Sequence, residues 1–154
     1  MKILTTILFV TLLATSAMGS DDPFVGKWFL DVERSAYPAG RCPKTMVIEM
    51  ETVGRGVRYK SDTVYANGKT VHSEYTADYD GNQVIVMGTH GMMSPVFLKR
   101  LDSNTVVASY SKSFQVVATS RRVISEDKRF MTVTTTSKDS SDKSVTTIGV
   151  YKRQ

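Results

Sequence analysis

The sequence predicts an all-β protein, an antiparallel up-and-down β-barrel of about eight to ten strands. Short segments in which apolar and polar residues alternate recur along the 154-residue chain. Turn-forming pairs separate several of them, most clearly Asn67-Gly68 and Asp80-Gly81. No segment of the predicted domain has the pattern of a helix. Closure into a barrel is favoured because it removes the exposed strand edges that promote aggregation.

The first 19 residues have the features of a secretory signal peptide. A short positively charged start, Met1-Lys2, precedes an apolar segment at 3–18, and small residues surround the predicted cleavage point after Gly19. Cleavage after Ala17 is the alternative. The segment is short for a membrane-spanning helix. We therefore expect a secreted or periplasmic protein without a stable membrane span after cleavage.

Removal of the leader leaves one predicted domain, residues 20–154. The full chain has 20 basic and 15 acidic residues, and loss of Lys2 lowers the formal net charge from +5 to +4. A domain of this size can bury a core without disulfide bonds. Its one cysteine, Cys42, excludes an intramolecular disulfide, so stability is expected from packing and sheet closure.

Ten candidate strands follow one another in this domain. The first contains Trp28, the only tryptophan, and a loop with Pro38 and Pro43 follows it. Strand 70–79 has the clearest alternation, because Val71 and Tyr75 share one face with small and aromatic residues while charged residues occupy the other. The predicted strands are 28–33, 45–53, 57–65, 70–79, 83–87, 96–101, 105–111, 115–125, 130–137 and 145–151.

A barrel of this strand number is wide enough to enclose one small ligand. The sequence is therefore compatible with two kinds of barrel interior. A largely apolar cavity would make the protein a small-molecule-binding protein. An interior filled by its own side chains would make it a structural or protein–protein interaction barrel, and Met46, Met50, Phe97, Phe114 and Phe130 could fill it.

The segment Phe24-Val25-Gly26-Lys27-Trp28 resembles the Gly-X-Trp signature that opens the calycins, the lipocalins and intracellular fatty-acid-binding proteins. The resemblance implies that Gly26 and Trp28 form a structural anchor at one barrel end. The last strand is similar to that of fatty-acid-binding proteins, without their Arg-X-Tyr order. More closely, the mature chain resembles exported lipocalin-like bacterial proteins of little-known function, through segments 28–35, 75–81, 98–102, 121–125 and 150–152.

Two features of these families have no counterpart in the sequence. Fatty-acid-binding proteins insert a helix pair after the first strand, whereas the interval 34–44 is short and contains two prolines. Lipocalins usually add a C-terminal helix and disulfides, and this chain has neither pattern. The expectation is a calycin-like barrel with an open question about its lid.

Basic residues at inward-facing strand positions are the candidates for binding a ligand. Arg100 alternates with apolar residues of its strand, and the strand 115–125 puts Arg121 and Arg122 on opposite faces, so either can point inward. A buried arginine requires a partner, which in a binding barrel could be a ligand carboxylate. The alternative is a solvated arginine or, as the calycin resemblance implies, one stacked on Trp28 to close the barrel end. We take Arg100 and Arg122 as candidate ligand-binding residues.

Tyrosines recur at strand positions, where their shape suits a half-buried sheet surface. A hydroxyl beside an arginine would also hold the polar head of a ligand. Tyr75, Tyr110 and Tyr151 are the candidates, and Tyr151 follows from the similarity of the last strand.

The segment 88–94 combines one histidine with two methionines, but no spacing defines a metal site. We expect a mobile loop at the barrel mouth, and no metal or cofactor.

The remaining function classes are not favoured. No nucleophile-elbow, zinc or phosphate-loop motif is present, so we expect no enzymatic activity. Basic residues are dispersed without interleaved aromatics, which argues against nucleic acid as a partner. The expected partner is a small hydrophobic or amphipathic molecule, bound by a monomer or weak oligomer.

Overall fold

Ten antiparallel strands close into a barrel in the computed structural model, which describes residues 22–154. The predicted signal peptide, residues 1–19, lies outside the described residues. The strands are β1 Gly26–Ala36, β2 Pro43–Val53, β3 Gly56–Tyr65, β4 Thr70–Ala77, β5 Asp80–Gly88, β6 Met93–Asp102, β7 Thr105–Lys112, β8 Gln115–Ile124, β9 Phe130–Lys138 and β10 Ser144–Arg153.

Each strand pairs with the next one in the sequence, and β1 also pairs with β10 to close the ring. The closing register runs from Trp28↔Arg153 to Asp31↔Val150. The weakest seam joins β4 and β5, which pair through only two residue pairs. The predicted up-and-down barrel is therefore confirmed, including its ten strands.

Most predicted strand boundaries differ from the structure by one to three residues, and two of these differences change a connection. The connection between β5 and β6 is shorter than the predicted loop, because pairing continues out to Met87↔Met93 and leaves only residues 89–92 outside the sheet. That connection contains the 3₁₀ turn Thr89–Gly91, the one helical segment in the described residues. The turn after β4 lies at residues 78–79, since Asp80 already pairs with Lys99.

The up-and-down order assigns the connections alternately to two ends of the barrel. Segment 22–25 and the connections after β2, β4, β6 and β8 lie at one end, which we name the closed end. The connections after β1, β3, β5, β7 and β9 lie at the other, which we name the open end. In the described part of the chain, no helix is long and apolar enough to cross a membrane.

The core lies inside the barrel, mostly on alternate residues of each strand. Met50 is buried in this core and Met46 packs against the core, but the three phenylalanines considered as filling, Phe97, Phe114 and Phe130, do not belong to it, and Phe130 is half-buried beside the buried Met131. Phe114 is fully exposed at the β7–β8 connection, and Phe97 is half-buried. The largest fully buried side chains are Trp28, Phe24, Ile48, Leu98, Met131, Val57, Val96 and Val106.

Candidate functional site

Arg122 lies on the inner face of β8 and is only 3% exposed. Its neighbour Arg121 points outward. Arg122 is therefore the arginine of this pair that faces the barrel interior. The Arg122 guanidinium donates from Nη1 to Tyr75 Oη at 2.8 Å and from Nη2 to Tyr110 Oη at 3.3 Å. It also lies over the Tyr59 ring, 4.6 Å from the centroid. Three strands therefore hold one buried cation.

No carboxylate within residues 22–154 forms a salt bridge with Arg122. Burial alone would lower the pKa of Arg122, but its tyrosine neighbours raise it overall, so the guanidinium remains charged. Two of its five N–H donors are accounted for by tyrosine oxygens. A buried, charged guanidinium without an anionic partner is costly, and it attracts any anion that can reach it.

The tyrosines around Arg122 form an ordered aromatic wall. The rings of Tyr59 and Tyr75 stack with centroids 4.8 Å apart and planes at 15°. Burial raises the pKa of both hydroxyls, so they are neutral at physiological pH. Since the Tyr75 oxygen accepts from Arg122, its hydrogen is free to point elsewhere.

A cavity of about 230 Å³ lies inside the barrel, with Arg122 in its wall. Its lining is dominated by tyrosines and hydroxyl-bearing residues, with two arginines and four apolar residues. These are Tyr37, Tyr59, Tyr65, Tyr110, Tyr151, Thr63, Ser120, Thr135, Thr147, Arg41, Arg122, Pro43, Met46, Ile48 and Val133.

The cavity communicates with the open end. A surface depression of about 580 Å³ lies between the β1–β2 and β3–β4 connections there. It shares four lining residues with the interior cavity, namely Tyr37, Arg41, Tyr65 and Thr147. No helix in the described residues covers this entrance, because the β1–β2 connection spans only residues 37–42.

Tyr151, on β10, also lines the cavity. Its hydroxyl donates to the sulfur of Met46 at 3.1 Å, and burial raises its pKa. Gly149 makes this arrangement possible, because a Cβ there would lie 2.8 Å from both the Tyr151 ring and Tyr37 Oη. Tyr37 thus reaches inward over a position that lacks a side chain.

Arg100 does not line the cavity and instead lies at the closed end. The sequence left the face of Arg100 open; the structure places it on the face of the buried Val96 and Leu98, where β6 has reached the edge of the core. Its Nη2 donates to Asp22 Oδ2 at 2.7 Å, and its guanidinium lies 3.9 Å from the centroid of Tyr79. Asp22 also accepts from Tyr79 Oη at 2.7 Å. Arg100 therefore fixes the segment before β1, with no part in the cavity wall.

The closed end contains the predicted anchor residues. Trp28 is completely buried and donates from Nε1 to the Phe24 carbonyl at 2.9 Å. Arg153 stacks on the indole with its guanidinium carbon 4.3 Å from the ring centroid, and Nη1 donates to the Val25 carbonyl at 2.8 Å. Gly26 has a φ of 134°, and a Cβ would lie 3.1 Å from the Arg153 guanidinium.

Arg153 was not among the predicted site residues. An arginine stacked on Trp28 was considered for Arg100, Arg121 and Arg122, whereas the structure gives that position to Arg153. The sequence marks Arg153 only through the basic pair at 152–153, in which Lys152 is exposed and Arg153 is half-buried. Of the five predicted ligand-binding residues, Arg122, Tyr110 and Tyr151 line one cavity. Tyr75 accepts a hydrogen bond from Arg122 without lining the cavity, and Arg100 lies at the closed end of the barrel.

The segment 88–94 lies at the open end, where its two methionines are exposed. In residues 22–154 no three histidine, cysteine or acidic side chains are grouped to hold a metal ion. Cys42 is half-buried at the open end, with its sulfur 3.5 Å from the Pro43 carbonyl.

The fold defines the class of the barrel as calycin-like, of the ten-strand kind found in fatty-acid-binding proteins. No protein-family model matches the sequence, and no curated protein sequence matches it either. The likeness therefore comes from three-dimensional structure.

Two solved structures illustrate this likeness. A Schistosoma mansoni fatty acid binding protein in complex with arachidonic acid superposes with a TM-score of 0.65 at 16% identity, over 88% of this chain and 99% of that one. The zebrafish ileal bile acid-binding protein complexed with cholic acid gives a TM-score of 0.58 at 14% identity, over 86% of this chain and 99% of that one. At these identities the comparison establishes the fold alone.

Proposed function

We propose that this protein is an exported binding protein that encloses a small amphipathic molecule carrying a carboxylate. The observation that supports this most directly is Arg122, a buried guanidinium in the wall of an accessible cavity with no carboxylate partner among the described residues. A ligand carboxylate would supply the missing charge through paired N–H···O bonds. The apolar part of the ligand would lie between Arg122 and the open end.

The two solved relatives in fold support the same reading, because one is complexed with arachidonic acid and the other with cholic acid. Both ligands combine a carboxylate with a large apolar body. Export rests on the sequence of residues 1–19, and it would place the mature barrel in the periplasm or outside the cell.

The first experiment is native mass spectrometry of the mature protein purified from its own host, followed by denaturing extraction of any bound molecule. A stoichiometric acidic adduct supports the proposal and identifies the ligand class. A protein that is empty, and that shows no thermal shift with fatty acids, bile acids or small carboxylic acids, would contradict it. The interaction barrel would then be the better account.

The second experiment compares two arginines that are adjacent in sequence and differ in position. Arg122→Met removes the buried cation at similar volume, while Arg121→Met removes the same charge from the outer face. A hydrogen-bonded charge contributes about 1.5–3 kcal/mol, so Arg122→Met should weaken carboxylate binding by about 10- to 150-fold. Arg121→Met should leave it within about twofold. Equal effects would refute the role of Arg122.

A further inference from the structure

The interior cavity is small and aromatic for a barrel that would carry a long lipid. Its volume is about 230 Å³, whereas a protein cavity of about 150 Å³ is known to accept benzene, with six non-hydrogen atoms. Scaling by volume gives room for about nine non-hydrogen atoms. A sixteen-carbon fatty acid has twice that number, so half of its chain would remain outside the cavity.

The residues of the cavity wall, like the cavity volume, disfavour a long alkyl chain as the ligand. Five of the fifteen lining residues are tyrosines and four more carry hydroxyl groups, against four apolar residues. An alkyl chain gains little from hydroxyl groups and displaces the water that they bind. An aromatic ring instead gains from edge and face contacts with tyrosine rings.

The position of Arg122 relative to the rings completes the pattern. Its guanidinium lies against Tyr59, and its second hydrogen-bond partner, Tyr110, belongs to the cavity wall. A carboxylate on Arg122 would place the carbon framework attached to it within a short distance of the Tyr110 ring. The site thus combines one cation, a ring surface beside it and a limited depth.

We infer that the preferred ligand is a compact aromatic carboxylate of about nine non-hydrogen atoms, rather than a long-chain fatty acid. This inference rests on the proposed function, because it uses the same cavity and the same arginine. The carboxylate lies on Arg122, and the ring lies against the cavity-lining tyrosines. Hydroxyl groups on the ring find partners among the threonine and serine side chains of the wall.

A matched pair of ligands tests the aromatic preference. Benzoate and cyclohexanecarboxylate each have nine non-hydrogen atoms and are ionised at pH 7, and the saturated ring is the more hydrophobic of the two. Aromatic pairing predicts that benzoate binds about two- to tenfold more tightly to the mature protein in isothermal titration. Equal affinity, or preference for the saturated acid, would overturn the inference.

A series of straight-chain acids from six to sixteen carbons tests the limited depth. In a deep lipid cavity each buried methylene raises affinity about fourfold. Here affinity should stop rising near eight carbons, because later methylenes leave the interior cavity for the solvent-exposed depression at the open end. A continued rise to sixteen carbons would refute the inference and leave the proposed function intact. Absence of binding by every acid to a folded protein would refute both.

Two substitutions at Tyr110 separate the ring from its hydroxyl. Tyr110→Phe keeps the aromatic surface and should preserve the preference for benzoate, while Tyr110→Leu removes the surface and should reduce it. Both variants are first checked for an unchanged circular dichroism spectrum. If Tyr110→Leu keeps the full preference, the ring contact is contradicted. Tyr65→Leu, at the entrance, provides a second variant should Tyr110→Leu fail to fold.

Discussion

Replacement of Arg153 by alanine should loosen the closed end of the barrel. Arg153 stacks on Trp28 and donates to the carbonyls of Val25 and Pro23. After allowance for partial exposure, each hydrogen bond contributes about 1 kcal/mol and the cation–π contact about 0.5–1 kcal/mol. The free energy of unfolding should therefore fall by about 2–3 kcal/mol. For a domain of this size that corresponds to a decrease in Tm of about 6–12 °C.

Urea unfolding followed by the fluorescence of Trp28 measures this change directly, since the chain has one tryptophan. The indole is completely buried, so its emission should move to longer wavelength and become accessible to acrylamide in Arg153→Ala. Lys152→Ala is the matched control, because it removes the same charge from an exposed neighbouring side chain and should change stability by no more than about 0.5 kcal/mol. Equal losses in the two variants would refute the account of the closed end.

Three further predictions concern a turn, the buried tyrosines and the close approach in the cavity wall. Ser113 and Phe114 both have positive φ, 50° and 64°, so replacing them together by Asn-Gly should raise the free energy of unfolding by about 1–2 kcal/mol in urea titrations. No gain would show that the strain is absent. The pKa of Tyr75 is raised by burial, so the folded state retains a proton that the unfolded state loses near pH 10. This stabilisation is complete below pH 10 and is lost as the pH rises further, and unfolding midpoints that stay constant above pH 10 would contradict it. Gly149→Ala should lower stability by about 1–3 kcal/mol through overpacking against Tyr37, which lies 2.8 Å from the position of the added Cβ, and an unchanged Tm would contradict that contact.

The sequence was sufficient to predict the barrel because each strand has its own local signal. Alternation and turn residues do not depend on distant contacts, so the number and order of strands follow from short windows. The exceptions lie where pairing extends a strand past its pattern. β6 begins at Met93 because Met87 of β5 pairs with it there. The residues of β6 alone carry no information about that pairing.

The candidate site was predicted in part, for a geometric reason. Alternation states that Arg121 and Arg122 face opposite sides, but only the register of the closed sheet decides which side is the interior. For Arg100 the face was open in the same way, and its level along the barrel was also missing information. Arg153 depends on contacts with residues about 130 positions earlier, which a local pattern does not encode.

The junction of β1 with β10 is also the most distant strand pairing of this barrel in sequence. Trp28 pairs with Arg153 across the ring, so the two strands that complete the barrel are the first and the last to be synthesised. Contacts this distant in sequence form slowly, and until β10 is available both β1 and β9 present unpaired edges. Any state in which β1 and β10 have not yet paired therefore exposes two strand edges to which another chain can add.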